Sequence, residues 1–137
     1  MTDTELIKEA FEAQKRAYSP YSGYKVGAAL LCKNGRVYRG CNIESSTYSP
    51  TNCAERTAFF KAISEGDLEF EAIAVVGGKE GQRPEEMIYF YPCGVCRQVM
   101  VEFCDMDSFR IITAKSTDDF KVATLKELMP YMVSPEK

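Results

Sequence analysis

Two short segments constrain this chain more than anything else in it, because any fold it adopts has to accommodate both. One is Thr51-Asn52-Cys53-Ala54-Glu55-Arg56; the other, starting about forty residues on, is Pro92-Cys93-Gly94-Val95-Cys96. Helical apolar spacing begins at each of them, so each brings cysteine to a helix start. Thr51 or Asn52 can cap the first helix and place Cys53 in its first turn, where free N–H groups and the helix dipole favour a thiolate. The 137-residue chain has six cysteines and no histidine. Histidine-based general-base catalysis and any histidine-containing metal site are therefore excluded.

Around these segments the hydrophobic pattern alternates between strand and helix. Thr2–Tyr18 carries apolar residues at three-to-four spacing and predicts a helix, broken by Ser19-Pro20-Tyr21-Ser22-Gly23. Val26–Lys33 and Arg36–Ile43 read as strands about an Asn34-Gly35 hairpin turn. Glu44–Asn52 is a polar loop, Cys53–Glu65 a helix stopped by Gly66, and Ala72–Val76 a buried strand. Gly77–Glu86 reads as a loop, Met87–Phe90 as a strand and Gly94–Cys104 as a helix. Arg110–Ala114 and Phe120–Thr124 follow as strands, then a short helix, Leu125–Met129, ended by Pro130. This order predicts a three-layer α/β/α sandwich with a mixed sheet of about five strands, in one domain spanning 1–137.

The bulk properties exclude several classes of function. No apolar run approaches the roughly 20 residues of a membrane span. Met1–Ala10 carries Asp3, Glu5 and Glu9 and has no apolar signal core, so a cytoplasmic location is expected. The net charge is −3 and the sequence pI about 5.1, with lysines and arginines scattered among acids. A nucleic-acid polymer calls for a basic face, so a nucleic-acid-like substrate would be a free monomer.

In a reducing compartment the cysteines serve as metal ligands or core residues rather than as a disulfide framework. Cys93 and Cys96 have the spacing to chelate one ion, and Cys53 can converge on it from the other helix start. Three protein ligands leave the fourth zinc position open, which is the arrangement of a catalytic site. Three thiolates and Zn²⁺ sum to −1, so a cation should offset them, and Arg56 is placed to donate to the sulfurs. Glu55, two residues from a ligand, can move a proton between water and substrate. Pro92 stiffens the turn before Cys93, and Gly94 is read as permitting backbone geometry that other residues resist.

Cys-Ala-Glu followed by Pro-Cys-x-x-Cys resembles the zinc deaminase signature in its all-cysteine form. More specifically, the chain resembles the short cytidine deaminases over nearly its whole length. Tyr18–Ser22, Val26–Leu30, Gly40–Glu44, Cys53–Ala58, Pro92–Gln98 and Glu127–Pro130 all carry the likeness. The resemblance implies one zinc per subunit on Cys53, Cys93 and Cys96, with Glu55 as proton shuttle. It implies that Asn42 and Glu44 bind the ribose hydroxyls and that the Ala54 backbone holds the base carbonyl. The reaction would be hydrolytic deamination of cytidine and 2′-deoxycytidine to uridine and 2′-deoxyuridine. The short members are homotetramers with shared sites, and Tyr48 lies in a loop of the kind that crosses between subunits.

Three positions depart from the pattern. Tyr24 replaces a Phe near the substrate, Tyr91 replaces a Ser or Thr, and Val133 stands where many members have a base-stacking Phe. Tyr24 and Val133 motivate a second expectation, the same chemistry on a modified cytosine nucleoside or a nucleoside antibiotic, whereas Tyr91 should matter little if the contact there comes from the backbone. A third is a non-enzymatic structural zinc module whose fourth ligand would be Cys41 or Cys104. Outside that alternative, Cys32, Cys41 and Cys104 are all read as small core residues.

Overall fold

The computed structural model describes residues 1–83 and 86–135. Among the described residues the helices and strands are, in order, α1 (Asp3–Gln14), β1 (Tyr24–Cys32), β2 (Val37–Cys41), α2 (Ala54–Ser64), β3 (Phe70–Lys79), α3 (Gly94–Phe103), β4 (Arg110–Ser116), β5 (Asp119–Thr124) and α4 (Leu125–Leu128). The strands form one mixed sheet in the order β2-β1-β3-β4-β5. Only the β3–β4 pairing is parallel. It is the pairing that needs a crossover, and α3 lies within that connection.

Both faces of the central strands are covered, which explains their near-continuous apolar runs. On β1, Val26, Ala28, Leu30 and Cys32 face one layer with Ala58, Phe59 and Met100. The alternate residues Ala29 and Leu31 face Leu6, Ile7 and Ala10 of α1. β3 alternates likewise, with Ile73 and Val75 on the first side and Ala72, Ala74 and Val76 on the second. The expected three layers follow from this alternation. The hairpin turns at Asn34-Gly35, with Gly35 at φ +92° and the Asn34 side chain accepting from Arg36 N.

Three of the differences from the sequence reading have a clear physical reason. First, α1 ends at Gln14, not Tyr18, because residue 18 is pulled into extended pairing. Tyr18 N donates to Asn42 O, and Glu44 N donates to Tyr18 O. Second, β3 runs through Gly77 and Gly78 to Lys79, so the start of the expected loop is strand. Third, Met87–Phe90 forms no strand and instead packs onto those glycines. A Cβ on Gly77 would lie 2.9 Å from the Phe90 ring, and one on Gly78 would lie 2.8 Å from Met87 Sδ. The run is apolar because it covers a glycine-lined groove rather than because it pairs. Among the described residues, no helix is long and apolar enough to cross a membrane.

Candidate zinc centre and active site

The site forms where α2 and α3 begin. An antiparallel bridge between Ile43 and Asn52 (2.9 and 3.0 Å) closes the 44–51 loop, so Asn42 comes beside Cys53, while Glu44 falls opposite Thr51. Gly40 on β2 lets α2 approach closely. A Cβ there would meet Ala54 O at 2.3 Å and Ala58 N at 2.6 Å. Cys53 is the N-cap of α2 itself, rather than a first-turn residue, and makes no side-chain capping bond. The expected caps are used elsewhere. Thr51 Oγ1 accepts from Ser45 N, and Asn52 Nδ2 donates to Thr57 Oγ1. Cys93 is likewise the N-cap of α3, and Cys96 is buried in its first turn.

The three sulfurs lie within 4.8 Å of one another, with Cys53–Cys93 at 3.9 Å and Cys93–Cys96 at 3.4 Å. Thiolates bound tetrahedrally at 2.3 Å from zinc would stand about 3.8 Å apart. The donor set therefore fits zinc in both chemistry and spacing. Neither Cys41 nor Cys104 joins the cluster, and Cys32 is in the core. That removes the fourth ligand the structural zinc module required.

The electrostatics favour a metal-binding thiolate. The pKa of Cys53 is drawn down to about 5 by hydrogen bonding with Cys96 and by Arg56, whose Nη2 donates to Cys53 Sγ at 3.3 Å. Cys96 is pushed the other way by that same bond to Cys53 and by burial. Glu55, the second residue of α2, is 1% exposed, and burial raises its carboxyl pKa to about 7. Its Oε1 has no hydrogen-bond partner. A buried polar atom left unpaired beside a metal-ligand cluster is what an acid–base group awaiting water and substrate would show.

Beside the cluster a cavity of about 190 Å³ is bounded by Val26, Asn42, Cys53, Ala54, Glu55 and Phe90. Asn42 is on its wall, but its amide also staples β1, accepting from Val26 N (2.9 Å) and donating to Tyr24 O (2.8 Å). Glu44 lies outside the cavity. It accepts from Tyr21 N at 3.0 Å, from Ser22 N at 3.1 Å and from the Ser22 hydroxyl. Tyr24 stands against Phe90, ring centroids 5.6 Å apart, rather than on the cavity wall. Tyr48 is 67% exposed and packs edge-on against Tyr21. Tyr91 and Val133 are exposed. Gly94 has an ordinary backbone and open space around its Cα, so it is not conformationally required.

Sequence reasoning passed over Phe90 and Val26 as walls of this cavity. The one available signal was that Phe90 lies two residues before Pro92-Cys93, which bound it to the ligand turn.

Fold and site together define a zinc protein with three thiolates at paired helix starts on a mixed α/β sheet. The family profile of the cytidine and deoxycytidylate deaminase zinc-binding region matches residues 1–112, and the chain belongs to that family. It is 48% identical over 131 residues to the cytidine deaminase of Sporosarcina psychrophila, spanning 96% of this chain and 90% of that one. To the cytidine deaminase of Halalkalibacterium halodurans it is 50% identical over 125 residues, spanning 91% and 89%. Among solved structures, the cytidine deaminase from Burkholderia pseudomallei superposes with a TM-score of 0.85 at 41% identity, covering 97% of this chain and all of that one.

Proposed function

We propose that this chain hydrolyses cytidine and 2′-deoxycytidine to uridine and 2′-deoxyuridine, releasing ammonia. It would do so as one domain, in a cytoplasmic homotetramer. The observation that carries the reading is Glu55, a buried carboxyl with one unpartnered oxygen, beside a three-cysteine zinc cluster at the head of a cavity. Cys53, Cys93 and Cys96 would hold zinc, whose Lewis acidity would make water reactive near neutral pH. Glu55 Oε1 takes a proton from the attacking water and gives it to the ring nitrogen as the oxygen bonds to C4. The remaining hydroxyl proton then passes to the amino group, which departs as ammonia and leaves the C4 carbonyl. Burial poises this carboxyl near neutrality, where it can both accept and give a proton.

The other side chains orient the substrate and tune the cluster. Arg56 draws density from the Cys53 thiolate and offsets the excess negative charge of three sulfurs. Ala54 is the first residue of α2, so its N–H has no intrahelical partner and is free to hold the base carbonyl. The cavity is sized for a pyrimidine ring, which leaves the sugar at its mouth near Asn42 and Glu44. Both keep acceptor capacity beyond the bonds they already make. Tyr24 backs Phe90 against the ring, and Tyr48 reaches the site of a neighbouring subunit.

A nucleoside panel tests the reading. Zinc-loaded protein is expected to convert cytidine and 2′-deoxycytidine, followed by the absorbance change on loss of the amino group. No turnover of either would overturn it. Turnover confined to a modified cytosine nucleoside would shift the assignment to that substrate, the reading that Tyr24 and Val133 motivate.

A further inference from the structure

Arg97 follows the ligand Cys96 directly and grips both peptide groups that flank the ligand Cys93. Its backbone N–H donates to Cys93 O at 2.9 Å, the first helical bond of α3. Its side-chain Nε reaches back to Pro92 O at 2.8 Å. Nη1 of the same guanidinium donates to Leu128 O, the last residue of α4, at 2.9 Å. Cys93 is the exposed sulfur of the three, and its side chain makes no capping bond. The direction of Cys93 Sγ therefore depends on the peptide planes on either side of it.

We infer that Arg97 is a positioning residue for zinc, fixing the Cys93 ligand and tying its turn to the C-terminal segment. A planar, permanently charged fork suits the task because it serves two carbonyls from one rigid group. The neighbouring Gln98 provides the comparison. It pairs with Val133, donating to its carbonyl (2.8 Å) and accepting from its N–H (3.3 Å), so its side-chain hydrogen bonds go to the C-terminal segment and not to the carbonyls flanking Cys93. The inference rests on the zinc reading of the cysteine cluster.

Zinc affinity, measured by competition against a chromogenic chelator, tests it alongside thermal unfolding of the same proteins. Arg97→Met is expected to weaken zinc binding about 10–100-fold, the usual range for a group that orients a ligand. Arg97→Lys should fall between, since one ammonium cannot serve both carbonyls. Gln98→Ala should keep zinc affinity within about twofold of wild type even where it lowers the unfolding temperature. Wild-type affinity in Arg97→Met would overturn the inference, and so would an equal loss in Gln98→Ala. If Arg97→Met does not fold, Arg97→Lys decides, and unchanged affinity there counts against it. Wild-type protein that takes up no zinc would overturn the zinc reading itself, a result distinct from either.

Discussion

Glu55 and Glu44 are two carboxyl groups on either side of one loop, held in opposite environments. Glu55 is buried with Oε1 unpartnered, whereas Glu44 is only partly buried and accepts three hydrogen bonds from the Tyr21-Ser22 turn. Leaving a buried polar atom unpaired costs about 1–3 kcal/mol, so Glu55 is a residue kept for chemistry rather than for stability. Glu55→Gln preserves its volume but cannot shuttle a proton. It is expected to bind zinc at the wild-type ratio by elemental analysis while kcat falls about 10²–10⁴-fold. Near wild-type turnover would sink the assigned role. For Glu44 the sign runs the other way. The Ser22 hydroxyl, then the Ser22 and Tyr21 N–H groups, hold its carboxyl below the ordinary value of 4.5. Its contribution to stability is therefore complete above pH 4.5 and is lost as pH falls through the lower folded-state value. Wild type should melt above Glu44→Gln near neutral pH, with the gap closing in acid. A gap that stays constant with pH would contradict this.

At the scale of elements, the placement of α2 depends on the missing side chain of Gly40. Adding a methyl group there drives a carbon to 2.3 Å from Ala54 O, which is helix backbone and cannot rotate away. Gly40→Ala is expected to cost at least about 1–3 kcal/mol in denaturant unfolding. Because the strain lands on the residue after Cys53, zinc affinity should fall with it. Gly94→Ala, at a helix start with open space, should instead be neutral or stabilising by up to about 1 kcal/mol. Comparable losses in the two variants would refute the close-packing argument. The same contrast separates what the sequence made legible from what it did not. The Asn34-Gly35 hairpin and the α2 and α3 starts are written in local chemistry; the hairpin and α3 stand where the pattern placed them, and α2 starts one residue later. Met87–Phe90 has strand-like composition, yet it packs across Gly77 and Gly78, a fit that depends on residues nine and thirteen positions away. Helix spacing carries on past Gln14, but pairing of Tyr18 with Asn42 and Glu44, just beyond the end of β2, overrides it. At the site, the cysteines and Glu55 announce themselves by residue type. Phe90 and Arg97 do not, because one acts by packing and the other through backbone carbonyls.

The molecule as a whole presents an aromatic surface beside the site that one chain does not use. Tyr18, Tyr21 and Tyr48 are each more than half exposed. Tyr48 is also the one non-glycine residue among the described ones with positive φ (61°). Such a conformation costs of order 1–3 kcal/mol and persists where the surroundings enforce it. Here Tyr48 N donates to Ser45 O and Thr51 N to Tyr48 O, so the loop holds the ring outward. A cavity of about 190 Å³ is small for a whole nucleoside, which is consistent with a neighbouring subunit completing the site. Sedimentation should then find four chains of 15.4 kDa, about 62 kDa in all. Shared sites make a sharper demand on mixed oligomers. Glu55→Gln subunits keep Tyr48, and Tyr48→Ala subunits keep Glu55. If each site takes Glu55 from one chain and Tyr48 from another, some sites in a co-refolded mixture regain both residues. Activity of the mixture should exceed the average of the two variants measured alone. If every chain completes its own site, no such site arises, and the mixture should equal that average.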